Sequence, residues 1–240
     1  MFGRNAVSKP FNQDGHSLLV NDVFYTIQGE GPDAGVPSVF VRLAKCNLRC
    51  HFCDTEFESG ELLTVMELTD RVLDSFYRIR SLGRLPLVVI TGGEPLLQNI
   101  APFVIACNNL GHHVSVETAG TVYNDGLWMS FFGSRNKIIV SPKTPTINSK
   151  IKDLADAFKY IIKAGAPYDP EDGLPITNTQ RLDGGVNKLA KPRTYAPVFI
   201  QPMDEQDTAL TKLNETHATQ ICMKYGYRLS LQVHKIVGLP

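Results

Sequence analysis

At 240 residues with 43% hydrophobic side chains, the chain is long enough to bury one substantial core and fits a single α/β domain over 1–240. Lysine plus arginine and aspartate plus glutamate number 24 each, so bulk charge points to neither nucleic acid nor a membrane surface, and a small, enclosed ligand is expected. No apolar run approaches the roughly 20 residues of a bilayer span, and the opening MFGRNAVSKPFNQDG lacks the apolar stretch of a secretion signal, which predicts a cytoplasmic location.

Short runs rich in branched residues alternate with helix-like stretches, the pattern of repeated βα units around a parallel sheet. Strands are predicted at 38–44, 86–91, 112–118, 137–141, 159–163 and 196–202. Between the first two, Thr64 and Glu67 form a capping-box pattern, and Val65, Leu68, Val72, Phe76 and Ile79 recur at helical spacing, predicting a helix over 65–81. After the second strand, PLLQNIAPFVIACNNLG starts with Pro95 at a first helical turn and stops at Gly111, predicting a helix. The segment 164–196 holds Pro167, Pro170, Pro175, Pro192, Gly173, Gly184 and Gly185 with little periodicity, as a long surface loop or an active-site cover would. A helix near 207–225 follows, and the alternation in RLSLQVHKI predicts a closing strand over 228–236. Six βα units are too few for a closed eight-stranded barrel, so the expected fold is an open partial (β/α)6 barrel.

Five cysteines, three of them within Cys46–Cys53, do not form the dispersed even set of a secreted disulfide framework, and in a reducing compartment such a cluster binds metal. Cys107 and Cys222 lie in apolar helix-like stretches and read as small buried hydrophobes. Cys46, Cys50 and Cys53 stand at C-x3-C-x2-C spacing after the first predicted strand. Three thiolates suit a 4Fe–4S cluster with one iron left open, which can chelate an amino and a carboxylate group. The competing reading is a structural zinc site, which normally takes four protein ligands; His51, between Cys50 and Cys53, is awkwardly placed as the fourth.

This cysteine spacing after a first strand resembles the radical S-adenosylmethionine (SAM) superfamily. TGGEP at 91–95, directly after the second strand, is similar to the superfamily's second mark. There the resemblance brings Glu94 and backbone groups to the SAM amino group, and two glycines permit a close approach that a Cβ would block. Further segments, FYTIQGEGPDAGVPSVFVRLAKCNLRCHFCDT, VVITGGEPLLQ, VETAGT, VSPK, IQPM and RLSLQVHKIVGLP, resemble the 7-carboxy-7-deazaguanine synthase family from about Asn21 to Pro240. The resemblance implies conversion of 6-carboxy-5,6,7,8-tetrahydropterin to 7-carboxy-7-deazaguanine with loss of ammonia, a step toward queuosine-type bases. It implies a 4Fe–4S cluster, SAM as a recycled radical source, and Mg²⁺.

A pterin offers a flat donor–acceptor edge and a carboxylate, which call for backbone amides, an acidic or amide partner and a cation. Ile27, Gln28 and Gly29, in the substrate-side segment 21–37, and Arg42 supply such groups, and the resemblance adds Thr91, Glu117 and His234. Glu117 and Arg42 are the residues expected nearest the chemistry. The resemblance carries Phe52, Cys53, Asp54, Gly93, Glu94, Ser141, Pro142, Lys143 and Gln201 to the SAM side, and the Thr55 hydroxyl to Mg²⁺, a hard ion that accepts neutral oxygen. It makes 226–240 a strand and substrate-capping tail in which the terminal carboxylate at Pro240 reaches the pterin. It also implies a homodimer and an electron donor such as a flavodoxin or ferredoxin. The chain departs from the family at Lys45, where a small residue is usual, at Ala119, and over 164–196. Two other functions compete: an activase that takes hydrogen from a glycine of a partner protein, and a non-catalytic metal module. The module leaves TGGEP, SPK and Arg42 unexplained.

Overall fold

The structure is a computed structural model that describes residues 5–53, 55–77, 85–131, 134–177, 179, 188–193 and 195–240. The strands are β1 Ser17–Ile27, β2 Pro37–Leu43, β3 Glu61–Thr64, β4 Leu87–Gly92, β5 Val114–Thr118, β6 Lys137–Val140, β7 Ala157–Ile162, β8 Val198–Pro202 and β9 Arg228–Leu229. Among the described residues they form one sheet in the order β3-β1-β2-β4-β5-β6-β7-β8-β9. From β2 to β9 every pairing is parallel, and β1 joins β2 and β3 antiparallel. The ends, β3 and β9, do not pair, so the six strands read from the sequence form the expected open partial barrel, widened at one edge by β1 and β3.

The branched runs lie in strands because a parallel sheet covered on both faces buries both sides of each strand. Val88, Val89 and Ile90 of β4 are fully buried, as are Ile138 and Val140 of β6 and Phe158 and Tyr160 of β7. Tyr160 donates its hydroxyl hydrogen to the Ala190 carbonyl at 2.6 Å, which anchors the end of the long 164–196 connection against the sheet.

Helix α1 (Val65–Ser75) starts at the expected capping box: Glu67 N–H donates to Thr64 Oγ1 at 3.2 Å, and Thr64 N–H donates to the Glu67 carboxylate at 2.8 Å. It ends earlier than its periodicity suggests, with Phe76 as the cap; residues 78–81 lie outside the described residues. The helix expected from Pro95 is split into a 3-10 turn, Pro95–Leu97, and α2, Ala101–Asn109. Gln98 causes the break. Its side chain accepts from Leu19 N–H at 2.7 Å and donates to Leu19 O at 3.1 Å, a strand-like pairing with β1 that holds Gln98 extended.

Two short helices, α3 (Leu127–Phe131) and α4 (Ser149–Leu154), fill connections in which the sequence carries no periodicity long enough to read. Helix α5, Thr208–Tyr225, matches expectation, with Asp207 capping Leu210 N–H at 2.9 Å and Gly226 closing it at φ 74°. The closing strand over 228–236 is a correction. Only Arg228–Leu229 pairs with β8, and Val233–Ile236 forms a helical turn, α6. The segment leaves the sheet because residues 29–31 capture it: Gly31 N–H donates to Ser230 Oγ at 2.9 Å and Val233 N–H to Gly29 O at 3.0 Å.

Candidate active site

A cavity of about 510 Å³ lies where the parallel strands end. Cys46, Cys50 and Cys53 follow β2, Gly93 follows β4, Glu117 closes β5, Ser141 and Lys143 follow β6, and Gln201 lies near the end of β8; all line it. Carboxyl ends of barrel strands are where this architecture places chemistry, since the loops there vary without disturbing the core.

The cysteine loop is rooted in backbone contacts. Lys45 takes φ 74°, the left-handed region that non-glycine residues seldom adopt. Here its N–H donates to Phe57 O at 2.7 Å and its ammonium bonds the Glu58 carbonyl. The two glycines of TGGEP serve this loop. Gly92 has φ 126°, and a Cβ on it would meet Leu43 O at 2.1 Å; a Cβ on Gly93 would meet Lys45 O at 2.1 Å. The glycines therefore let β4 press against the cysteine loop, where Gly93 N–H donates to Leu43 O at 3.1 Å and Glu94 N–H to Lys45 O at 2.9 Å. Gly93→Ala is expected to cut iron uptake on anaerobic reconstitution severalfold while circular dichroism of the sheet is retained. Wild-type iron content in that variant would mean that the loop yields without loss.

Leu48 N–H donates to Cys46 Sγ at 3.4 Å, and Cys50 Sγ lies 3.5 Å from Thr179 Oγ1. Among the described residues no three His, Cys, Asp or Glu side chains gather tightly enough to hold a single metal ion. A 4Fe–4S cube asks for a different arrangement, one thiolate on each of three irons at separate corners. Three thiols facing one cavity, on a loop held mainly by its backbone, fit that demand.

Of the other residues singled out in the sequence, Ile27, Gln28, Arg42, Phe52, Thr55, Thr91, His234 and Pro240 also line the cavity. Asp54 lies outside the described residues. Gly29, Glu94 and Pro142 do not face the cavity. Gly29 acts through its missing side chain, since a Cβ there would overlap His234 Nδ1 at 1.8 Å. Glu94, expected at the SAM amino group, stands behind the wall at 1% exposure. Its carboxylate accepts from Thr118 Oγ1 at 2.6 Å, Ala119 N–H at 2.8 Å and Leu96 N–H at 3.1 Å, which stitches the β4 turn to the end of β5. Burial pushes its carboxyl above the usual range despite these bonds.

Arg42 stacks over the Phe24 ring at 5.3 Å, and Phe24 stacks on Phe40. Its Nε is buried without a partner, and among the described residues no hydrogen bond or ion pair neutralises this guanidinium. On the opposite wall Lys143 bonds Ser141 and lies 5.8 Å from the Phe52 ring centroid; burial lowers its pKa. Pro240 O accepts from Thr26 Oγ1 at 3.0 Å, which brings the last residues of the chain to the pocket.

Sequence reasoning missed a polar network through Lys159, Glu30 and Gln232. Lys159 is 4% exposed, donates to Glu117 Oε2 at 3.1 Å and pairs with Glu30. Glu117 Oε1 accepts from Gln28 at 2.9 Å, while Glu30 Oε1 accepts from Gln201 at 3.0 Å and Gln232 at 2.8 Å. Burial alone would lower Lys159, but Glu117 and Glu30 together hold it above the ordinary lysine range. Burial alone would raise Glu30, but Lys159 draws it down to about 2. A lysine opening the run KYIIK was the available signal, because a charge inside a buried parallel strand requires a partner.

Three thiols on a loop after the first parallel strand, locked by a glycine turn after the next, stand where a radical SAM site would, and the Radical SAM superfamily matches residues 41–167. The protein is therefore a radical SAM enzyme, whose chemistry rests on a 4Fe–4S cluster and SAM. Over their full lengths, this chain and the 7-carboxy-7-deazaguanine synthase of Rhodospirillum rubrum are 44% identical. The Rickettsia prowazekii enzyme of that name is 36% identical, over 100% of this chain and 96% of its own. The chain belongs to the 7-carboxy-7-deazaguanine synthase family, radical SAM lyases of deazapurine biosynthesis. QueE from Escherichia coli shares the fold, with a TM-score of 0.61 at 23% identity over 92% of this chain and 96% of that one. No helix among the described residues is long and apolar enough to cross a membrane.

Proposed function

We propose that this enzyme converts 6-carboxy-5,6,7,8-tetrahydropterin to 7-carboxy-7-deazaguanine with release of ammonia. The observation that carries this reading is Arg42, an unneutralised guanidinium on the wall of a cavity large enough for a bicyclic ring. A fixed cation of this kind suits the substrate carboxylate, which accepts two parallel N–H bonds from a guanidinium. Gln28, Glu117, His234, Thr91 and the backbone at Ile27 then face the ring edge, and Gly29 serves by leaving room for His234.

Cys46, Cys50 and Cys53 would hold the cluster. Phe52, Cys53, Asp54, Gly93, Ser141, Lys143 and Gln201 would hold SAM, while Pro142 and Glu94, set back from the cavity, would act at one remove, Glu94 by fixing Thr118 and Ala119. When bound, this pair supplies the radical that takes a hydrogen from the pterin. The chain's own part is to orient the ring and exclude water. Thr55, a neutral oxygen on the cavity wall beside the cysteines, suits a Mg²⁺ ion that keeps most of its waters. Family likeness supports a cytoplasmic homodimer reduced by a flavodoxin or ferredoxin, and it favours a small substrate over the protein substrate of an activase.

The test is to incubate the reconstituted, reduced protein with SAM and the carboxy-tetrahydropterin and to look for the deazapurine. Reductive cleavage of SAM without that product would defeat the substrate assignment. The Pro240 end is proposed to turn a main-chain oxygen toward the amino-pyrimidinone edge of the pterin. Adding three glycines after Pro240, which crowds the edge that this end faces, is expected to leave iron content and uncoupled SAM cleavage normal and to weaken pterin binding severalfold, the loss of about one hydrogen bond. Unchanged pterin affinity would place Pro240 outside the recognition set.

A further inference from the structure

We propose that Lys159 is the positioning residue of the substrate pocket, a buried ammonium shared by Glu117 and Glu30 that keeps both carboxylates available as acceptors. The inference rests on Glu117 contacting the substrate, as argued above. Three observations lead to it. Lys159 sits on β7 with its side chain 5% exposed, so water does not solvate the charge. Its ammonium bonds one oxygen of each carboxylate. Among the described residues Glu117 accepts one bond on each oxygen, from Gln28 and from Lys159, and a carboxylate oxygen can accept two, so lone pairs remain where Glu117 lines the cavity.

The group of three carries two negative charges and one positive. Other titratable groups facing it are Lys143 after β6 and His234 on α6, each within electrostatic range of Glu30 and Glu117 and neither hydrogen-bonded to them among the described residues. Arg42 on β2 and the Asp204–Lys235 pair line the same cavity. None of these takes the place of the ammonium between the two carboxylates. Without it, Glu117 and Glu30 share one small pocket as like charges, and a proton binds the pair at a higher pH.

Lys159→Met removes the charge at similar length. The proton that the pair then takes up inactivates Glu117 as an acceptor. The acid limb of kcat/KM for the pterin is therefore expected to move up by about 1–2 pH units, with activity regained as pH rises. Lys159→Arg, which keeps a cation, is expected to leave the limb in place. In the double variant Lys159→Met with Glu30→Gln a single carboxylate remains, and the limb is expected to return toward wild type. A merely structural lysine would give no such return.

Iron content is measured for each variant as the check on folding and cluster loading. Should Lys159→Met fail to load iron, Lys159→Gln and the double variant carry the same measurement. Glu117→Gln separates the two levels: normal pterin turnover in that variant would sink the reading of Glu117 itself. If Glu117→Gln is inactive, and the Lys159 variants lose rate equally at every pH with no recovery in the double variant, the positioning role is overturned.

Discussion

Replacing Cys46, Cys50 or Cys53 by alanine, one at a time, is expected to abolish iron binding and pterin turnover together, whereas Cys107→Ala and Cys222→Ala keep the cluster. A cluster that already leaves one iron open to SAM has only three protein anchors, and loss of one leaves two irons without a protein ligand. Nothing nearby substitutes readily. His51 is the adjacent candidate, but its ring packs edge-on against Phe52. Cys107, on α2, is 1% exposed, Cys222, on α5, is also buried, and neither lines the cavity that the other three thiols face. Both behave as apolar side chains. Iron and sulfide analysis with visible absorption after anaerobic reconstitution checks the set. Full iron content and turnover in any one of the three variants would show that the ligands have been misassigned.

Arg42→Met is expected to lower kcat/KM for the pterin by one to two orders of magnitude, from about 1.5–3 kcal/mol for a charged hydrogen-bonded pair, while iron content stays at wild type. Arg42→Lys is expected to recover only part of this, because an ammonium keeps the charge but not the planar fork that meets both carboxylate oxygens. The flat seat on Phe24 is also shaped for a guanidinium. The discriminating substrate is a pterin lacking the carboxylate: if Arg42 meets that group, wild type and Arg42→Met should handle the analogue alike. A loss of equal size on the analogue would move Arg42 from substrate recognition to the scaffold.

The six parallel strands were legible because burial on both faces leaves unbroken branched runs such as LVVIT and KIIV, which few other structures require. Strand β1 escaped for the converse reason. Its register with β2 shifts between Val20 and Asp22, and the irregularity destroys the alternation that would mark SLLVNDVFYTI as a strand. The tail was misread because RLSLQVHKI alternates well, yet the hydrogen bonds from Gly31 and Val233 that turn it aside come from contacts about 200 residues apart. At the site, the spacing singled out three cysteines, and the fold brings all three to one cavity. Lys159 left one signal, a charge opening a buried strand, but its partner Glu30 was not readable, since the pair arises only when the loop after β1 meets β7. The glycines of TGGEP were found for the right kind of reason, close approach, but what approaches is the backbone of the cysteine loop.

The helical turn at Val233–Ile236 buries none of its residues, whereas the strand that carries the glycine turn is buried through Val88, Val89 and Ile90. Regions of one fold differ in the free energy of local opening, and a segment held by hydrogen bonds and a partly exposed Lys235–Asp204 pair sits at the low end of that scale. Its bonds to residues 26–31 can be exchanged for bonds to water at small net cost. On the proposed assignment of the site, the rim toward the pterin therefore opens at lower cost than the buried strand that backs the cysteine loop, a division that would let substrate enter and product leave without disturbing an oxygen-sensitive cluster.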